Sequence, residues 1–469
     1  MTTARSVDTA PGAEAAAVLN RTLLVVVIGS LMSVLDVTIV NVALRSLSEA
    51  FHAPLETAQW TVTAYTLALA AVVPTAAWAM ARLGTRRTYL VALVLFTLGS
   101  LLAACAWDIV SLIVFRALQG LGGGLLMPVG MAMAMGAADR ERYGRTMALL
   151  GLPVLVGPVA GPVLGGWLLD TLTWRWLFLV NLPVGAVASV LAAKLLRPDP
   201  PRGTAPAPRL DVPGLLMLSP GLALLLFGLA HGAERGDFAA PAALVPTLTG
   251  AALTAGFVGR ALSVRHPLLE LRLLTDRAFG AGIATLALFG CGYFGSMLLG
   301  PMYWQQVRGW SPTATGLLGV PVGLAVGTTM QVAARNIDKV SPRRLIRAGI
   351  AVGALGMALT GLALGTPEVP AWRSVAASVL LGVGAGMVLM PTMTTASRDL
   401  PKERLAAATT ALSINAQVSS SAGTALVSVV LGSAGLDPAG FRTACLVAAA
   451  LLALALLPAT GLPARKRSG

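Results

Sequence analysis

Charge is what this chain has least of. Asp, Glu, Lys and Arg make up 12% of its 469 residues, about half the share a soluble domain carries. A chain this long cannot cover itself against water with so little charge, so a soluble protein is excluded. Histidine and cysteine are equally scarce, at three each. Cys105, Cys291 and Cys445 stand apart inside apolar runs. That spacing excludes a disulfide framework or a zinc cluster and reads as small buried hydrophobes. No metal or cofactor is expected. The chain has no GxxxxGK[ST] loop for a nucleotide and no GxSxG or HExxH, which argues against ATP drive and against an enzyme. Aromatics are only 5%. The first 17 residues hold no compact signal peptide with a cleavage site.

Apolar residues fill the space that charge leaves. They reach 56%, and 51 glycines accompany them. Small residues let helices approach closely in lipid. A bilayer crossing takes about 20 apolar residues, and fourteen stretches of that kind can be counted. An even number puts both termini on one side. With that side taken as cytoplasmic, 27 Lys and Arg fall inside and 6 outside, leaving Arg116 within a span. This is a strong positive-inside bias. It accounts for the net charge of +14 by contact with anionic lipid, without nucleic acid. The expectation is an all-α polytopic protein of the inner or plasma membrane with both termini cytoplasmic, acting as a monomer.

Two polar stretches break the even spacing. Residues 197–211, RPDPPRGTAPAPRLD, read as a Pro-rich linker. Residues 260–277 form a second link in which leucines mix with charges, suggesting a short interfacial helix. Between them lie two spans, 212–231 and 241–259. The expected organisation is a disordered N-terminus over 1–17, a six-helix bundle over 18–196, and a linker with an inserted pair over 197–277. A second six-helix bundle over 278–460 and a basic tail over 461–469 complete it. An internal repeat supports this. GGLLMP at Gly123–Pro128 resembles GMVLMP at Gly386–Pro391, and ARLGTRR at 81–87 matches DKVSPRR at 338–344 in place.

The stretch LIVFRALQGLGGGLLMPVG at Leu112–Gly130 draws attention because Arg116 sits inside it. A charge at membrane depth costs at least a few kcal/mol, so such a residue is a functional candidate. Arg116, Gln119, Gly123 and Met127 share a helix face. Asp36 is the one acid placed within a span. Lipid favours the uncharged form of a carboxyl group, so Asp36 reads as a group able to take and release a proton. It also reads as a structural acid held by hydroxyls or by Arg116. Each charge lies eight residues from the outer end of its span, at about 12 Å depth. They are expected to share a cavity, directly or through water.

Span 5 carries Gly157-Pro158, Gly161-Pro162 and Gly165-Gly166. Glycines at steps of four make a smooth contact face, and the prolines favour a bend. Thr63, Tyr65 and Asn415 are path-lining candidates, as are Phe289, Tyr293 and Met297, which recur every four residues. The bland alternatives are interhelical hydrogen bonding and core packing.

At these residues the chain resembles the major facilitator superfamily, and within it the fourteen-span drug:proton antiporters. The resemblance rests on LDVTIVNVAL at Leu35–Leu44, RALQGLGGG at Arg116–Gly124 and GPVAGPVLGG at Gly157–Gly166, with WRWLFLVNLPVG at Trp174–Gly185 and YWQQVRGWSPTATG at Tyr303–Gly316. It implies two six-helix bundles plus two inserted helices. It associates Arg116 with proton transfer and implies cytoplasmic gate loops at Gly84, Arg86, Arg87, Asp338 and Arg343. With Asp36, read from its position as the proton carrier, Arg116 forms the expected coupling pair, and Gln119 and Met127 on the Arg116 face are substrate-cavity candidates. One departure stands out. The aspartate usual in the first gate loop is replaced by Ala81, so the gate in the first half should be weakened. The function expected is proton-driven export of lipophilic small molecules, neutral or monocationic, because a single embedded acid poorly neutralises a dication. Export of an endogenous metabolite or lipid is the alternative, and a non-transporting receptor or scaffold is a third reading.

Overall fold

The computed structural model describes residues 11–139, 142–199, 210–264, 267–336, 340–366, 368 and 370–464. The described chain is helical throughout, without strands. Backbone in lipid has no water to bond, so each segment closes its own hydrogen bonds. Fourteen long helices follow among the described residues: α1 Pro11–Ala50, α2 Leu55–Val72, α3 Thr85–Ala104, α4 Ile109–Ala137, α5 Leu152–Thr171, α6 Asn181–Leu195, α7 Val212–Arg235, α8 Pro241–Ser263, α9 Arg277–Ser296, α10 Pro312–Asn336, α11 Pro342–Leu364, α12 Ala371–Ser397, α13 Leu405–Ala434 and α14 Pro438–Leu454. Thirteen of these stretches are long and apolar enough to cross a membrane, and α5, with 20 residues, stands where the remaining span is expected.

Helix ends follow local chemistry. Asp108, Asp276 and Asp437 cap α4, α9 and α14 by accepting the amides of Ser111, Phe279 and Gly440. Two expectations are corrected. Residues 11–17, read as disordered, already belong to α1; the stretch is rich in alanine, the best helix former. The link over 260–277 holds a five-residue 3-10 turn, Leu271–Thr275, in place of an interfacial helix. Pro267 interrupts the segment, and the Leu268 amide donates to Asp211 at the start of α7.

The packing repeats. In the first half α1 lies against α5 and α6, and α3 and α2 lie against α4. In the second half α9 lies against α13 and α14, and α11 and α10 lie against α12. The pattern recurs with an offset of eight helices, and α7 and α8 are the pair left over. They pack mainly on each other, and α7 also touches α2 and α13.

The two ends of the molecule differ. At the end bearing the arginine-rich loops, called the basic end below, one core runs through both halves. It joins Tyr143, Met147 and Leu150 to Ala396, Leu400 and Leu405. At the opposite end each half keeps its own core, around Val40 and Phe178 in one and around Tyr303 and Phe441 in the other. The halves therefore share a core at the basic end, and among the described residues no shared apolar core joins them at the other.

Candidate functional site

Asp36 on α1 and Arg116 on α4 meet directly. Arg116 Nη1 donates to Asp36 Oδ2 at 2.6 Å, and both side chains are fully buried. The same Nη1 donates to Gln119 Oε1 at 2.6 Å. Gln119 Nε2 returns a bond to Asp36 Oδ1 at 2.8 Å, and Asn181 Nδ2 on α6 adds another at 2.8 Å. The carboxylate thus accepts from three donors on two helices. A buried charge is tolerated only when paired and hydrogen-bonded in this way.

The guanidinium has further contacts, although its Nη2 is buried without a hydrogen-bond partner. Its Nε donates to the Thr61 carbonyl on α2 at 3.1 Å, and its carbon lies 4.2 Å from the centre of the Tyr65 ring. That contact is cation–π in character. Ser33 and the Tyr65 hydroxyl lie 3.1 Å apart. Asn181 also donates to Ser100 Oγ, which donates to the Phe178 carbonyl. Five helices of the first half, α1, α2, α3, α4 and α6, converge on one carboxylate.

Glycine permits this convergence. A Cβ at Gly99 on α3 would meet the Gln119 backbone at 2.6 Å, and one at Gly120 would strike the Tyr65 carbonyl. These two positions bring α3 and α2 onto α4 closely enough for the side chains to meet.

Of the other candidates, Met127 on α4 accepts a long contact from Ser30 at 3.9 Å. Gln119 is fully buried inside the Asp36 cluster. Tyr65 lies against Arg116, while Thr63, two residues earlier, faces α7. Phe289 and Tyr293 stack with ring centres 6.1 Å apart inside the second-half core. Met297 is exposed and Asn415 half-buried. Asp36, Arg116, Gln119 and Tyr65 thus meet, while Thr63 lines a different cavity and Phe289 and Tyr293 lie in the second-half core.

In α5, a Cβ at Gly157 or Gly161 would collide with Val34 or Thr38 of α1, and Gly165 lies against Ile39. Gly166 has nothing within 4 Å. Thr38 Oγ1 bonds the Gly157 carbonyl at 3.2 Å. The side chains of Pro158 and Pro162 fall outside the described residues, but Leu152–Thr171 runs on as helix through both. The break falls earlier, at Gly151, before Pro153 in the first turn, where proline's missing amide is tolerated. Gly151 packs on Met330 and Met390 of the second half.

At the basic end, Gly84 has φ +90°, open to glycine and costly for other residues. Asp199, from the linker after α6, sits over it and accepts the Arg86 and Arg87 amides at 3.0 and 3.1 Å. The Arg86 guanidinium donates to the Ala193 carbonyl. An acid therefore occupies this turn although Ala81 does not supply it. Arg343 is half-buried, and Asp338 lies outside the described residues. Asn181 and Asp199 are the residues that sequence reasoning left unassigned. A lone asparagine inside WRWLFLVNLPVG is the signal for the first; nothing local marks the second.

The profile described as Major Facilitator Superfamily matches residues 26–424. A Mycobacterium tuberculosis protein named multidrug resistance protein B homolog is 43% identical over 416 residues, 88% of this chain and 76% of that one. Among solved structures, the human organic anion transporter MFSD10 (TETRAN) superposes with a TM-score of 0.65 at 16% identity, covering 94% of this chain and 99% of that one. The proton:xylose symporter XylE gives 0.63 at 16% identity, covering 94% and 95%. These last two speak for the fold.

Proposed function

The chain belongs to the major facilitator superfamily, and from that membership and the cluster around Asp36 we propose that it exports lipophilic small molecules in exchange for protons. The cargo is neutral or singly cationic. The basic end faces the cytoplasm of the cell's inner membrane, in keeping with the positive-inside bias. The name of the 43% identical relative supports drug efflux. The observation that carries proton coupling is the buried Asp36–Arg116 pair at 2.6 Å.

The proposed coupling starts from electrostatics. With Asp36 charged, Arg116 has its counter-ion and α1 is tied to α4 and α6. A proton on Asp36 removes that charge and leaves the guanidinium buried without compensation, a costly state. The helices relieve it by shifting. Thr38 lies two residues from Asp36 and bonds Gly157, so a shift of α1 is felt by α5. The break at Gly151 sits on Met330 and Met390, where α5 presses on the second half. In this scheme protonation loosens the basic-end seam, and proton release restores it.

Purified protein in weakly buffered detergent provides the test. Adding a lipophilic monocationic dye should release protons from the wild type and none from Asp36→Asn. Equal release from both would refute the assignment.

A further inference from the structure

The inserted pair creates a second site remote from Asp36. Between α2 and α7, at the end opposite the basic loops, lies a cavity of about 280 Å³. Gln59, Trp60 and Thr63 line one wall, and Phe227, His231 and Arg235 the other. Each wall is a helix face: residues 59 and 63 are four apart on α2, and 227, 231 and 235 recur every four on α7.

The rings form a ladder. Trp60 and Phe227 stack with centres 5.5 Å apart and planes at 28°, and Phe227 and His231 stack at 5.5 Å and 22°. Trp60 remains 42% exposed and lines the cavity with Phe227 and His231. Arg235 lies one turn beyond His231. It is exposed, and no described residue pairs with its guanidinium. Thr63 donates to the Gln59 backbone carbonyl at 3.2 Å, and no described residue takes up the Gln59 side-chain amide. The described lining holds no carboxylate.

We infer that this cavity binds aromatic acids: a flat apolar ring against the side of the Trp60–Phe227–His231 ladder that lines the cavity, with its acidic group at Arg235 and Gln59. A stacked aromatic contributes about 0.5–1.5 kcal/mol beyond its buried area, and the ion pair fixes the sign of charge. This ligand differs in charge from the exported cargo proposed above. Equilibrium binding is also read separately from proton release, so either conclusion can fail alone.

The test uses the full chain in discs of zwitterionic lipid, titrated calorimetrically with 2-naphthoate and with the neutral 2-naphthalenemethanol. The acid should bind about fivefold more tightly than the alcohol, as expected of one partly exposed ion pair. Arg235→Gln should erase that preference, while Arg373→Gln, an equal charge change elsewhere, should keep it. Trp60→Ala should weaken both probes about fivefold. Equal affinity for acid and alcohol, or naphthoate binding unchanged in Arg235→Gln, overturns the inference. Anionic lipid in the discs should leave the affinity within about twofold. Loss of binding there would assign the cavity to a lipid headgroup and overturn it equally.

Discussion

Arg116 is the residue whose removal should be felt most. Replacing one partner of a buried ion pair strands the other, at about 3–5 kcal/mol. Arg116→Ala should lower the thermal midpoint in detergent markedly, and Arg116→Ala with Asp36→Asn should lower it less, because no charge is then stranded. A double variant no more stable than Arg116→Ala would argue against the pairing as the source of the loss. Asp199→Ala should cost about 1 kcal/mol, the usual worth of a helix cap, readable in the same melts. Asp36, Arg116 and Gln119 were legible in the sequence because polar groups stand out in an apolar run. That they touch was legible only as equal depth. Asn181 was hidden near the start of its helix, and the Thr61 carbonyl on Arg116 is backbone, which no residue type announces. Asp199 escaped notice because it reaches its partners from 113 positions away in sequence.

Among the elements, α5 shows how a motif divides into working and idle positions. Gly161→Ala should cost about 1–3 kcal/mol as an overpacked contact and slow export, because its Cβ collides with Thr38. Gly166→Ala, facing nothing within 4 Å, should leave melting and export unchanged. Equal effects from the two would deny that α5 works through its contact with α1. The glycine period was readable from sequence. The break at Gly151 was not, since Pro158 and Pro162 looked like better places to bend. The inserted pair has its own fastening. Asp211 accepts from Arg260 at 2.8 Å and from the Gly214 and Leu268 amides. Burial pushes this carboxyl up, but the Arg260 guanidinium and the two amides outweigh it and hold it below the usual carboxylate range. A carboxyl so lowered stabilises the fold above its unfolded value, and that contribution is lost as pH falls through the lowered value. Amide protection at Leu268 should therefore persist at neutral pH and fall below about pH 4. Asp211→Asn should show the acid behaviour already at pH 7; unchanged protection would remove the clasp from the account.

For the molecule as a whole, the eight-helix offset was foreshadowed by two short echoes, GGLLMP with GMVLMP and ARLGTRR with DKVSPRR. Pro128 and Pro391 indeed sit inside α4 and α12, which hold matching places in the two halves. Which end would be sealed was not legible, because composition alone does not distinguish two packings of one set of helices. The seal can be tested by covalent capture. In a chain with Cys105, Cys291 and Cys445 replaced by Ala, Gly151→Cys with Met330→Cys should be bridged by a short bis-methanethiosulfonate reagent, since a Cβ at Gly151 lies 2.8 Å from the Met330 sulfur. Export should stop, and reduction should restore it. Export continuing in the bonded protein would mean that the halves do not part there. The Asp36 cluster is sealed within one half, with Asp36, Arg116 and Gln119 at 0% exposure. On the coupling proposed above, the group that carries the proton is thus closed to bulk solvent and to cargo. Mutations that widen or narrow the range of compounds handled are free to accumulate elsewhere without disturbing the energy supply, which gives such a pump room to evolve resistance to new toxins one substitution at a time.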